Sequence, residues 1–436
     1  MRVIMLTWEY PPRVIGGISP HVKDLSNQLQ AKGVEIHIVT KHTPDAPDEE
    51  IEANGIQVHR VRLAYEPHNF VHEIQLLNQA TVVRASEILR DKGTGEIPTI
   101  LHTHDWLSFD SARELKYAFN LPMLATVHAT ESGRLGGIFH DLSRYVNTQE
   151  YWLTYESWRV IVCSEYMKDE VRRQFACPDD KIDVIYNGVE ASKFEFAWSD
   201  RERIAFRSQC AREDERIILY VGRFVREKGI RVLVDSAHAI LAQEPRAKFV
   251  LIGGGDRAPL VEFVEWAGLR DHFDFKGFVS SDELLKFYRI SDVAVFPSLY
   301  EPFGIVALEA MAAGIPVVAS DAGGLKEVVL HDRTGTLSYA NQPSSLAWAV
   351  LRVLQDPMRA SELAKAAKAR LASEFDWAKL ADQTISVYDR VWREYVASDW
   401  SKKQSNHSAE AATTPGKRMP TARVVPVERP RPRRTR

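Results

Sequence analysis

The sequence predicts an α/β protein of two Rossmann-like, doubly wound domains facing a central cleft, with a C-terminal helix returning to the first domain. Three observations predict it. Short β-rich runs alternate with longer amphipathic segments, the pattern of parallel βαβ units. The alternation pauses at the turn signal Tyr186-Asn187-Gly188-Val189 and restarts beyond residue 200. A chain of 436 residues is also too long for one ordinary core and suits two domains plus extras.

Strands are expected at Val3–Thr7, Glu35–Thr40, Gln57–Arg62, Ile100–Thr103, Met123–Val127, Val160–Cys163 and Ile182–Ile185. Helix-like segments fall between several of them, at His21–Ala31, Val71–Leu89 and Ser108–Ala118. The second series is Ile217–Val221, Phe249–Ile252, Phe273–Lys276, Val293–Phe296 and Val317–Ala319. Helical patterning then runs from Ser344 to about Tyr395. The expected division is a first domain over 1–190, a second over 191–375, a returning helix over 376–400 and a disordered basic tail over 401–436.

Composition excludes several classes. Hydrophobic residues make up 45% and charged residues 26%, ordinary for a globular protein. The net charge of −3 gives no global attraction to nucleic acid, but it hides an asymmetry. From residue 401 onward ten Lys or Arg face two acids, so the tail carries +8 and the rest −11. That tail is either a solvated end or a tether to an anionic partner or surface. Cys163, Cys177 and Cys210 are scattered and form no CxxC pair, which fits a reducing compartment. No apolar run approaches a membrane span, so the chain reads as cytoplasmic.

The chemistry concentrates where strands end, because ligands of doubly wound sheets bind outside the strands' carboxyl ends. Glu301 and Glu309 stand eight residues apart in Tyr300-Glu301-Pro302-Phe303-Gly304-Ile305-Val306-Ala307-Leu308-Glu309, after an expected strand and opening a helix. Continuous helix would put them roughly 12 Å apart along the axis. Arg223 and Lys228, in Gly222-Arg223-Phe224-Val225-Arg226-Glu227-Lys228-Gly229, follow another strand. Two cations there could neutralise a diphosphate, or be ordinary solvated charge. Gly16-Gly17 follows the first strand and lets backbone approach a phosphate, or simply makes a tight turn. Ile252-Gly253-Gly254-Gly255-Asp256 fails the dinucleotide pattern, since Ala258 fills the third glycine position, and is expected to be a strand-end turn.

His102-Thr103-His104-Asp105-Trp106 and Val127-His128-Ala129-Thr130 end two more strands and face the same cleft. Their local spacing is not that of a metal site. No Asp-x-Asp is present to hold a divalent ion on a diphosphate, so a metal-independent mechanism is expected. His128 could equally be a buried, hydrogen-bonded histidine.

Together these pieces resemble the family-4 retaining glycosyltransferases of the GT-B fold, over about residues 1–395. Trp8-Glu9-Tyr10-Pro11-Pro12 leading to Gly16-Gly17, the His102–Trp106 run and His128-Ala129-Thr130-Glu131-Ser132-Gly133-Arg134 resemble the bacterial and archaeal glycogen or starch synthase branch. Larger bacterial glycogen synthases carry Lys two residues before the glycine pair, and here that residue is Val14. The resemblance implies that Arg223 and Lys228 hold the donor diphosphate with backbone N–H groups of Gly17, Gly304 and Ile305. It implies that Glu309 takes the ribose hydroxyls and that Glu301 and His128 take the transferred sugar. Glu9 and Asp105 would lie nearer the acceptor. It implies a hexosyltransferase with no cofactor beyond its donor, ADP-glucose or UDP-glucose, and a glucan or other carbohydrate acceptor.

Three readings compete with the glucan transferase. One is a family-4 transferase with a lipid-linked or small-molecule acceptor, another a non-catalytic sugar-nucleotide-binding shell, and the last a sugar-nucleotide epimerase. Glu301 and Glu309 could also flank a glycosidic bond in a hydrolase. Arg223 and Lys228 argue against that, because a hydrolase needs no diphosphate site.

Overall fold

The computed structural model describes residues 1–93 and 97–401, and the predicted basic tail beyond Ser401 lies outside the described residues. Two sheets organise the chain. The first contains β1 (Arg2–Leu6), β2 (Glu35–Lys41), β3 (Glu49–Ile51), β4 (Gln57–Val61), β5 (Thr99–His104), β6 (Met123–Val127), β7 (Arg159–Val162) and β8 (Ile182–Val184). Its order is β3-β4-β2-β1-β5-β6-β7-β8, parallel except for the β3 edge. The second contains β9 (Arg216–Val221), β10 (Ala247–Ile252), β11 (Phe273–Gly277), β12 (Val293–Phe296), β13 (Val317–Ser320) and β14 (Thr336–Ser338), in the order β11-β10-β9-β12-β13-β14.

Helices cover both faces of parallel sheets, so their strands read as unbroken apolar runs. β1, β6, β7, β12 and β13 are buried along their whole length. The order reverses between β1 and β5 in the first sheet and between β9 and β12 in the second. Ligand crevices open at such reversals. The glycine pair follows β1, Asp105 follows β5, the Arg223–Lys228 loop follows β9 and Glu301 follows β12. The glycine pair, Asp105, the Arg223–Lys228 loop and Glu301 thus sit at the two switch points, while His128 follows β6, the strand next to β5.

The predicted helical stretch after residue 343 is three helices, Pro343–Gln355, Pro357–Glu374 and Trp377–Ala397. Pro357 and the Asp376 cap divide them. The last returns to the first sheet. Its Trp377, Leu380, Ala381, Val387, Tyr388 and Val391 share one buried cluster with Val3, Met5, Val22 and Leu25. The Tyr388 hydroxyl lies 2.8 Å from His102 Nδ1, and Arg390 pairs with Asp183 at 3.0 Å.

A second set of contacts links elements of the first sheet to loops and helices of the second. Helix Glu165–Phe175 is capped by Ser164, whose hydroxyl also donates to the Pro302 carbonyl at 2.6 Å. Both oxygens of Glu327 accept the first backbone N–H groups of that helix, from Glu165 and Tyr166, at 2.9 Å each. A carboxylate on a helix N-terminus is favoured by the orphan donors and the dipole. Tyr300 donates to Glu170 at 2.8 Å and accepts from the Thr130 N–H at 3.2 Å.

Candidate active site

The glycine pair, the cations and the carboxylates meet in the cleft between the sheets. Gly17 caps helix Ile18–Ala31, and Gly304 caps helix Ile305–Ala312 with φ +109°. The two helix starts face each other so closely that a Cβ on Gly17 would lie 3.3 Å from the Ile305 side chain. Two sets of orphan N–H groups, each at the positive end of a helix, therefore converge on one place.

Pro302 and Gly304 delay the second helix, so it starts at Ile305 and not at Glu301. The separation expected from continuous helix is corrected: Glu309 lies one turn in, roughly 6 Å along the axis from Ile305. Glu301 stays on the loop, only 6% exposed. Its Oε2 accepts from Lys228 Nζ at 2.6 Å and from the Ser298 hydroxyl at 3.1 Å. Lys228 thus stands at the Glu301 carboxylate while keeping a partly open side chain.

The cation loop is joined to this acid loop through its backbone. The Glu227 carbonyl accepts the N–H groups of Leu299 and Tyr300 at 2.8 and 3.1 Å. Gly229, at φ +64°, lies against Pro297 with no room for a side chain. Arg223 is exposed and pairs loosely with Glu227 at 3.3 Å, leaving its guanidinium open to a ligand. The Gly253–Gly255 run is the expected strand-end turn. A Cβ at Gly253 would come within 1.9 Å of the Gly222 carbonyl, which fixes the turn against the cation loop.

Glu309 accepts from the Tyr288 hydroxyl at 2.8 Å. Burial raises its carboxyl from 4.5 to about 7, against the lowering pull of that hydrogen bond. On the other wall, Asp105 adopts φ +58° after β5 and accepts the His128 N–H at 2.7 Å. Burial pushes the Asp105 carboxyl up to about 6 although Arg134 and backbone N–H groups favour its charge. His128 reaches the cleft with a partly exposed ring, and burial holds its pKa down to about 3, so it is neutral there.

Glu9 is placed differently from Asp105. It is 2% exposed, and its carboxylate accepts the Ile15 and Gly16 N–H groups, the latter at 3.1 Å. It braces the glycine loop from beneath.

Several contributors were not singled out from the sequence. Ser298 sits three residues before Glu301 and is the one a strand-end search could have found. Tyr288 and Glu327 come from helices, with nothing local to mark them. His21, within helix Ile18–Ala31, reaches the row formed by His104 and His128; one nitrogen from each of the three lies within 4.8 Å of the others. Sequence spacing does not reveal this row, because His21 joins it from a helix far away in the chain.

Residues 15–193 match the family profile described as Glycosyltransferase Family 4, and residues 201–370 match that described as Glycosyl transferases group 1. The chain is 39% identical over 390 residues to an uncharacterised glycosyltransferase of Methanocaldococcus jannaschii, covering 89% of this chain and 98% of the relative. It is 36% identical over 404 residues to a glycogen synthase of Mycobacterium tuberculosis, covering 89% and 94%. Among solved structures, the sucrose-phosphate synthase of Thermosynechococcus elongatus aligns with a TM-score of 0.78 at 28% identity, over 90% of this chain and 99% of that one. No helix among the described residues is long and apolar enough to cross a membrane.

Proposed function

Given that the chain belongs to the family-4 glycosyltransferases of the GT-B fold, we propose that it is a retaining, metal-independent glucosyltransferase that extends a glucan from ADP-glucose or UDP-glucose in the cytoplasm. The observation that carries the reading is the convergence of two helix N-termini, Arg223 and Lys228 beside Glu301. The likeness to a glycogen synthase supports glucose and a glucan.

In this reading the donor diphosphate lies between Gly17 and the Gly304-Ile305 turn, facing Arg223 and Lys228. Negative charge grows on the leaving phosphate and positive charge on the sugar ring. The cations and N–H groups stabilise the first, and the Glu301 carboxylate stabilises the second. Because Lys228 touches both charges, it is the residue through which the two stabilisations are coupled. Attack comes from the face the phosphate leaves, and a phosphate oxygen takes the acceptor's proton. No protein nucleophile is used. His128, neutral and held by Asp105, offers a hydrogen bond to the sugar's primary hydroxyl side. Glu9, on the acceptor side of the cleft in this family, acts through the glycine loop it braces.

A screen of ADP-, UDP- and GDP-sugars with glycogen as acceptor tests this. Nucleotide release with glucose donors and α-linked glucose in the polymer are expected. Release with another sugar alone would overturn the glucan assignment.

Glu309 gives a pH signature. Its carboxyl is raised in the folded protein from 4.5 to about 7, so the folded state keeps a proton that the unfolded chain gives up. That contribution to stability is whole below about pH 4.5 and disappears as pH rises through about 7. Ribose hydroxyls donating to the ionised group act in the opposite sense. Donor affinity is therefore expected to rise across that window and level off above it. Titration calorimetry should find the slope flattened in Glu309→Gln, and an unchanged slope would remove Glu309 from the ribose.

A further inference from the structure

We propose that His21, His104 and His128 form a binding site for a divalent transition-metal ion of the zinc class beneath the cleft. Each residue offers one ring nitrogen, all within 4.8 Å of one another, and His21 and His104 are almost wholly buried. Tetrahedral zinc with bonds of about 2.0–2.1 Å asks for nitrogens roughly 3.4 Å apart. Small ring rotations close the difference.

On His21, hydrogen bonding has already chosen the nitrogen. His21 Nδ1 lies 2.7 Å from Asn187 Oδ1, and an oxygen there fixes the proton on Nδ1. The Nε2 lone pair is left, and Nε2 is buried with no partner. A ligating imidazole characteristically donates its other N–H to such an oxygen. His104 Nε2 is also buried without a partner, while its Nδ1 lies 3.2 Å from His128 Nε2. Leaving a buried polar atom unmatched is costly, and an ion would remove that cost.

His102 marks the edge of the site. Its nitrogens face the Tyr388 and Thr126 hydroxyls at 2.8 and 2.7 Å, so it has none to give. His128, partly exposed, supplies the way in from the cleft. Three imidazoles suit zinc, copper, nickel and cobalt rather than magnesium or calcium.

Occupancy would have a consequence that rests on the function proposed above. An ion ligated by the His128 ring withdraws that ring from the sugar, so zinc inhibits transfer. Metal binding itself stands apart from that reading and is tested apart from it.

Chelator-treated full-length protein is titrated with Co²⁺ and followed by visible d–d absorption. One ion per chain is expected, with binding weakened at least tenfold in His21→Gln and in His104→Gln. His37→Gln disrupts the other histidine pair, where His37 and His59 lie 3.2 Å apart, and is expected to bind like the parent. No absorption at millimolar Co²⁺, or binding lost in His37→Gln and kept in His104→Gln, overturns the site. If a variant fails to fold, shifted ring-proton resonances in the Co²⁺-loaded parent decide the same point, and shifts on rings other than these three overturn it. Zinc that binds without slowing transfer in the parent overturns the inhibitory half alone.

Discussion

Lys228→Ala is expected to lower transfer by two or more orders of magnitude at saturating donor while the protein stays folded. Lys228 Nζ is 2.6 Å from Glu301, so in the function proposed above one side chain would meet the diphosphate and order the carboxylate beside the sugar. Removing a single donor aimed at developing transition-state charge typically costs about 10²–10³ in rate. The fold tolerates the change because the Lys228 side chain is partly open and packs in no apolar cluster. Glu301 keeps the Ser298 hydroxyl as a partner. Arg223→Ala, at a more exposed cation, is expected to fall in the same direction. Steady-state rates beside urea unfolding separate the two effects, and near-parental turnover in the folded Lys228 variant would dismiss it from the reaction.

Gly229→Ala is expected to be the most damaging single methyl in the cation loop. At φ +64° an L-residue loses about 1–2 kcal/mol to backbone strain. The new Cβ would also lie 1.8 Å from the Pro297 carbonyl, an atom of a strand end that cannot turn aside as a side chain could. Overpacking of this kind adds about 1–3 kcal/mol. Together roughly 2–5 kcal/mol should be lost from the urea-unfolding free energy. Donor binding should weaken as well, because the loop that moves carries Lys228. Gly33→Ala is the comparison. It has φ +83° but nothing within 4 Å, so it should show the strain without the collision. Equal losses in the two variants would mean that Pro297 yields freely.

The strands were legible because burial on both faces leaves uninterrupted apolar runs, and twelve such runs in alternation read as parallel sheet. β3 was not, since Glu49-Glu50-Ile51 is an exposed antiparallel edge with no apolar face to betray it. β14, Thr336–Ser338, is too short and polar for the same reason. Arg223, Lys228, Glu301 and the glycine pair could be picked out because doubly wound sheets bring strand ends together. Tyr288, Glu327 and His21 could not. Each sits on a helix whose local pattern reports only which side is apolar, and its partner arrives from a distant part of the chain. The start of the helix after Glu301 was misplaced because Gly304 takes a conformation that spacing alone does not reveal.

The returning helix Trp377–Ala397 has a consequence for synthesis. The apolar flank that Val22, Leu25 and Leu29 of helix Ile18–Ala31 form beside the first sheet shares its buried cluster with the returning helix. On the ribosome, β8 ends at Val184, long before Trp377 is added. At roughly 5–20 residues per second the wait lasts about 10–40 s. During that time the nascent first half carries an uncovered apolar flank, a surface for holding chaperones or for misassembly with a neighbouring chain. The first sheet cannot bury that flank until nearly the whole chain has been made, so its folding is tied to the completion of the second.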